Sequence, residues 1–499
     1  MKILNISRKL SLGILISTFL VGCTDLEIDN IDSIIPEEEG GNPTEILSAL
    51  YINISGTYGA YGNAHALENV TSDLHIPPTR TTGDWADGGN WRSLHSHDWT
   101  PTHPEINNAW TSLNRNVFTA SEVLFWGGSD QEMAEAKFLR AYAMWQLTDL
   151  FGVVPTREVD EPVEINPIIL SRQEALDRVI QDLNDAIIAL PSSAPANHNV
   201  ATKEAAYALN ARVYLNKAVY EADAPSSFSF STTDMDEVIA SADKVMDAGY
   251  TLTDDYYLNW RASGTENILI SGNDMFSYWL PYLSSGQGGW NGFSITPEMY
   301  DLYDTGDDRL GKGPGTTGYV FDSNDFDPSD DALNIPQGIL VGQQYRKNGE
   351  LLDGVNYVKE TQLLGADPNA GYKLMKNIPD FPTKIVHLRY ADVLLMKAEA
   401  ILRGGTSSDT ALDIINEIRA SRNTALLTSV TLDDILEERG REMQWESIRR
   451  TDQIRFGTFL SGTWTEKGGA TDDHKWIFPI PEVQVSLNPN LEQNPGYDQ

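Results

Sequence analysis

Apolar positions recur at helical spacing through much of the chain. Leu176, Val179, Ile180, Leu183, Ile187 and Leu190 follow one another along one helix face. The stretch opens on Ser171-Arg172-Gln173-Glu174, a capping box whose hydroxyl and carboxylate each satisfy a backbone N–H that the helix cannot, and stops at Pro191. A second box, Ser129 to Glu132, opens a helix predicted to reach Phe151, with Gly152 ending it. That helix is apolar on more than one side, Ala136, Leu139, Ala143 and Leu147 on one and Phe138, Tyr142 and Trp145 on another, so it is expected between neighbours. Further helices are predicted over 202–222, 235–249, 389–405, 409–423 and 432–457. Small residues at contact positions, such as Ala205, Ala206, Ala208 and Ala211, or Ala391, Ala398 and Ala400, resemble tetratricopeptide-like helix pairs, though without a regular period. The expected fold is mainly α, a helical-pair scaffold carrying a large loop-rich region.

The pattern breaks over about 60–110 and 250–385, which are rich in Gly, Asp, Asn, Trp and Tyr and far too long for ordinary connections. Within the first lies TGDWADGGNW (82–91), where glycines and Asp/Asn predict neither helix nor strand, yet two indoles are present. Loops run over the surface, so these indoles point to a ligand.

The first residues pair a basic start (Lys2, Arg8, Lys9) with an apolar run, Leu10 to Val21, of signal-peptide length and too short to span a bilayer. They end in Leu20-Val21-Gly22-Cys23, which resembles the bacterial lipobox. Cys23 is the only cysteine, so no disulfide framework exists and its sulfur is read as a lipid attachment point. The expected organisation is a signal peptide over 1–22, an acidic tether over 23–44 and one domain over 45–499. The 72 Asp+Glu against 36 Lys+Arg give a net charge of −36, which disfavours nucleic acid, anionic lipid and anionic polymers and favours a neutral ligand.

AKFLRAYAMWQLTDLFGVVPTRE (136–158), AAYALNARVYLNKA (205–218), LRYADVLLMKAEA (388–400), INEIRASR (415–422), ILEERGREMQWESIRRTDQIRFG (435–457) and IFPIPEVQVSLNPNLEQNPGY (477–497) resemble, in order and spacing, the RagB/SusD nutrient-uptake outer-membrane lipoproteins. The resemblance implies a helical body with tetratricopeptide-like pairs and a loop-rich face that binds glycans. It also implies display at the cell surface on a lipid anchor, and partnership with a SusC-type TonB-dependent barrel without chemistry of its own. The matched blocks are then scaffold, with Glu437–Arg441 and Glu446–Arg450 read as i,i+4 pairs on one salt-bridged helix face.

Sugar rings present a flat C–H face that stacks on an indole. The glycan-binding candidates are Trp85 with Trp279 and Trp290 of FSYWLPYLSSGQGGWNG (276–292), joined by Trp91, Tyr282, Asp73, Arg80 and Asp84. Tyr278 lies close by in sequence. A neutral chain such as a β-1,3-glucan is the expected ligand. The competing readings are that individual tryptophans pin loops to the core and that Asp73 and Arg80 form a salt-bridged loop.

Three rival chemistries are weaker. A glycosidase needs two carboxylates at a set distance, and this acidic chain supplies pairs without number. His95, His97 and His103 have no cysteine to help them bind zinc and no helix predicted to align them. DSNDFDPSDD (322–331) offers oxygen ligands suited to calcium but lacks the glycine and terminal Glu of an EF-hand, so a solvated acidic loop and no cofactor are expected. A peptide-binding scaffold is the alternative that aromatic-rich loops argue against.

Overall fold

Both capping boxes form. Ser129 Oγ accepts from the Glu132 N–H at 3.2 Å while Glu132 accepts from the Ser129 N–H at 2.8 Å, and the helix Asp130–Phe151 closes on Gly152 at φ 71°. Ser171 and Glu174 start Arg172–Ala189 in the same way. The computed structural model describes residues 41–499 apart from 60, 193–194, 196–197, 227, 261–263, 273–279, 312–314, 317–332, 335, 347–348, 378–384 and 498–499. Cys23, the signal and tether before residue 41, Tyr278, Trp279 and the 322–331 loop lie outside those residues.

Every side chain from Phe138 to Phe151 is buried, because this helix is packed by Pro104–Trp126 on one side and Arg172–Ala189 on another. Trp145 Nε1 donates to Tyr220 Oη at 2.7 Å, so the indole's one polar atom is satisfied inside the core. Lys203–Tyr220 pairs with Thr232–Asp247, which also meets Tyr390–Leu402; that helix packs in turn on Ala411–Ser421. The fold is the mainly α, tetratricopeptide-like scaffold that the spacing predicts.

Several expectations are corrected. The 432–457 stretch is two helices, Leu432–Glu442 and Arg449–Arg455. Between them Trp445 and Ser447 take left-handed φ of 64° and 58°. Trp445 is fully buried against His65, His75, Tyr282 and Phe293, and burying this indole offsets the cost of the unfavourable backbone. The break dissolves the expected Glu446–Arg450 pair: Glu446 meets Lys376 at 2.7 Å and Arg389 at 2.8 Å, while Arg450 meets Asp149 at 2.9 Å. Glu437–Arg441 survives at 3.5 Å.

The expected charged helix face is instead a buried network. Arg389 reaches Glu266 and Glu442, each at 2.7 Å; Arg422 reaches the same two at 2.7 and 2.8 Å; Arg309 reaches Glu438 at 2.7 Å and Glu442 at 3.0 Å. Burial pushes the Glu442 carboxyl up, but Arg422, Arg389 and Arg309 outweigh it and hold the group well below the usual carboxylate range.

The 60–110 region is also more helical than its composition suggests. It holds Asn63–Asn69, Asn90–His95 and the start of Pro104–Trp126. Across 250–385 the strands are short, and several pair over long range. His75–Ile76 pairs antiparallel with Ser294–Ile295, and Thr79–Arg80 pairs parallel with Leu364–Ala366. Asn267–Ser271 pairs antiparallel with Ile385–Arg389. The first two pairings sew the two loop-rich regions together. Asn42–Gln499 forms one compact unit.

Candidate functional site

The 82–91 loop and the 281–294 segment meet through Asp84. Its carboxylate accepts from Thr82 Oγ1 at 2.6 Å, Ser285 Oγ at 3.1 Å and Asn291 Nδ2 at 3.2 Å. Burial pushes the Asp84 carboxyl up, but these three donors and the nearby Arg80 outweigh it, so the group sits below its ordinary range and is ionised at neutral pH. An ionised carboxylate that accepts three hydrogen bonds is an acceptor and a tether rather than a general acid.

Beneath Asp84 lie two buried cations that bond to neutral acceptors. Arg80 donates to the carbonyls of Asn291 at 2.7 Å, Ala370 at 2.8 Å and Asp367 at 2.9 Å, and to Ser294 Oγ at 3.0 Å. Lys373 Nζ donates to Asn291 Oδ1 at 2.9 Å, Ser294 Oγ at 3.0 Å and the Phe293 carbonyl at 3.1 Å. Burial lowers Arg80 to about 10, and burial with Arg80 as neighbour pushes Lys373 well down.

Held this way, the two loops present an aromatic cluster. The Trp85 and Trp290 rings are 5.5 Å apart and tilted by 48°. Tyr61 meets Trp85 at 5.2 Å and Trp290 at 5.3 Å, edge-on to both. All three are partly exposed. Trp91 and Phe293 form the floor, 5.0 and 5.3 Å from Trp85, and both are buried. Trp85 lies directly on the backbone of Gly292, where a Cβ would stand 1.9 Å from its Cε3 atom.

Several sequence candidates lie beneath this exposed cluster or outside it. Trp91 is 2% exposed and sits in a short helix, because the core has room for one face of the loop. Tyr282 is fully buried, its hydroxyl 2.8 Å from His75 Nδ1. Arg80 is spent on backbone carbonyls, and Asp73 is in an ion pair with Arg449 at 2.7 Å rather than with Arg80. Those four are buried or paired within the protein, whereas Trp85, Trp290 and Asp84 share the partly exposed cluster. Tyr61 was missed, although the glycines flanking it in YGAYGN carry the same signal as the tryptophan loops.

The three histidines serve local structure. The His95 ring faces the carbonyls of His75 at 3.0 Å and Thr465 at 2.8 Å; His97 faces the Thr71 carbonyl at 2.7 Å; His103 Nδ1 caps Pro104–Trp126. Among the described residues no group of three or more His, Cys, Asp or Glu could hold a metal ion.

A sequence model of the SusD family matches residues 247–497, and one described as "Starch-binding associating with outer membrane" matches 42–215. The chain is 25% identical to the starch-binding protein SusD of Bacteroides thetaiotaomicron over 485 residues, covering 85% of this chain and 84% of that protein. A solved laminarin-binding SusD-like protein superposes with a TM-score of 0.63 at 24% identity, covering 91% of this chain and 99% of the other. Surface glycan-binding protein A from Bacteroides thetaiotaomicron, solved with laminarihexaose, superposes at 0.64 with 18% identity, covering 91% and 98%.

Proposed function

Because the chain belongs to the SusD family, its model matching 247–497, we propose that it is a surface glycan-binding protein that captures a neutral polysaccharide on Trp85, Trp290 and Tyr61. The observation that carries this reading is the Trp85–Trp290 pair, two partly exposed indoles 5.5 Å apart and inclined at 48°. Their tilt suits a chain that bends between successive sugars, each sugar face burying apolar area on one ring. The ionised Asp84 and the hydroxyl of Ser285 supply hydrogen bonds to sugar hydroxyls beside the rings. With −36 of net charge, a neutral polymer approaches more easily than an anionic one.

A β-1,3-glucan is the proposed ligand. The laminarin-binding relative and the laminarihexaose complex support it. The protein is proposed to act without catalysis, anchored through acylated Cys23 at the outer membrane, where a SusC-like TonB-dependent barrel receives the glycan. The outer-membrane description of the 42–215 match supports that location.

Calorimetric titration of the purified protein with laminarihexaose tests the reading. Binding that Trp290→Ala weakens, with no binding of a sulfated or uronic-acid polymer, is the expected result. Absence of binding to laminarihexaose and to other neutral glucans would overturn it.

A further inference from the structure

The loop that carries Trp85 also walls a second depression. A groove of about 700 Å³ is bounded by Gly88 and Gly89, Arg92, Gln362 with Leu364, and Glu466. Its size falls in the range of small-ligand sites. Three peptide units separate Trp85 from Gly88, so their Cα atoms lie within about 11 Å of each other and the groove begins close to the indoles.

Its lining is suited to a polyol. Arg92 donates to the Thr79 hydroxyl and makes no ion pair among the described residues, which leaves guanidinium N–H groups for ligand oxygens. Gly89, at φ 95°, permits this pose, because a Cβ there would stand 2.9 Å from Arg92 Nη2. Gly88, at φ 63°, has nothing within 4 Å of where a Cβ would be, so its backbone is open to the groove. Across from these, Glu466 is exposed and held at φ 66°, a left-handed conformation unfavourable for glutamate. The Gln362 amide donates to the Leu364 carbonyl at 2.8 Å, and Leu364 is 64% exposed. A guanidinium, a carboxylate and an amide around one apolar side chain match a sugar, whose hydroxyls both donate and accept and whose ring carries an apolar face.

We propose that this groove is a second stretch of the binding site, taking sugars of the same neutral polysaccharide beyond those on Trp85 and Trp290. The proposal rests on the glycan reading above. It makes affinity depend on chain length, since only a chain long enough to cross Gly88 and Gly89 reaches Arg92 and Glu466.

The test is titration of the protein with laminaritriose and with laminarihexaose, repeated for Arg92→Gln and Glu466→Gly. The second variant removes the carboxylate while relieving the backbone, and thermal unfolding checks that both variants fold. Wild type should bind the hexaose more tightly than the triose, and each variant should weaken the hexaose roughly ten- to a hundredfold, one charged hydrogen bond's worth, with the triose unchanged. Three results overturn the groove: equal wild-type affinity for both lengths, unchanged hexaose affinity in both folded variants, or equal losses for both lengths. If wild type binds neither sugar, the β-1,3-glucan reading falls along with the groove.

Discussion

Trp85 rests on Gly292. A Cβ at 292 would stand 1.9 Å from Trp85 Cε3 and 2.4 Å from Cζ3, closer than any real contact, and an indole is too rigid to yield locally. Gly292→Ala should therefore push Trp85 out of its pose and weaken laminarihexaose binding about as much as Trp85→Ala does, on the order of 1–2 kcal/mol or roughly tenfold. Titration calorimetry of both variants checks this. Wild-type affinity in Gly292→Ala would show that Trp85 does not need this seat.

Trp290 and Trp91 should separate function from stability. Trp290 is partly exposed, so Trp290→Ala should lower glycan affinity with a small change in melting temperature. Trp91, 2% exposed, should cost about 3–5 kcal/mol of stability as alanine, through lost burial and the cavity left behind. Chemical denaturation alongside titration distinguishes the two, and a stable Trp91→Ala protein would contradict the assigned floor.

Removing one partner of the buried ion network should be severe. Glu442 holds Arg389 at 2.7 Å, Arg422 at 2.8 Å and Arg309 at 3.0 Å, so Glu442→Ala leaves buried cations short of a counter-charge. The expected loss is about 3–5 kcal/mol. Urea unfolding measures it, and a loss below about 1 kcal/mol, the ceiling for most surface pairs, would place the network at the surface in energetic terms.

Acid should destabilise the fold before carboxylates titrate. Burial lowers His65, His97 and His387 from 6.5 to about 3. The unfolded chain takes up these protons below pH 6.5 and the folded chain does not, so stability is lost as pH falls through that window. Glu68 works the other way: burial, then Asp149, raises it from 4.5 to about 8, so the folded state keeps a proton that the unfolded chain releases. Burial also lowers His75, His95 and His103, so the histidines outnumber Glu68 and the net effect between pH 6 and 5 is a loss of stability. Denaturation at pH 7, 6 and 5 should show it; a flat profile would mean that these rings charge without unfolding.

The anchor is tested on Cys23. Cys23→Ala should release the protein from membranes into the soluble fraction, because the proposed acyl chains would contribute about 0.8 kcal/mol per buried methylene. Fractionation and immunoblotting read the result, and persistent membrane association would point to another attachment.

The helices that open on a capping box were legible in the sequence. Ser129–Glu132 and Ser171–Glu174 cap their own backbones, and apolar spacing marks the faces that must leave water, so interactions within a few residues suffice to specify Asp130–Phe151 and Arg172–Ala189. The family blocks were legible for the same reason, being the scaffold that local pattern builds. Composition also singled out the 82–91 and 276–292 loops as unlike the rest.

Which aromatic faces solvent was decided only by tertiary structure. Trp85 and Trp91 occupy one loop of uniform composition, yet the first rests partly exposed on Gly292 and the second fills the floor against Phe293. Tyr282 and Trp290 divide the same way, and Trp445 breaks a helix to join the core. Each outcome depends on a partner tens to hundreds of residues away: Asn291 for Asp84, Arg449 for Asp73, His75 for Tyr282. Local patterning carries no information about such partners, because burial and hydrogen bonding are satisfied in space rather than along the chain.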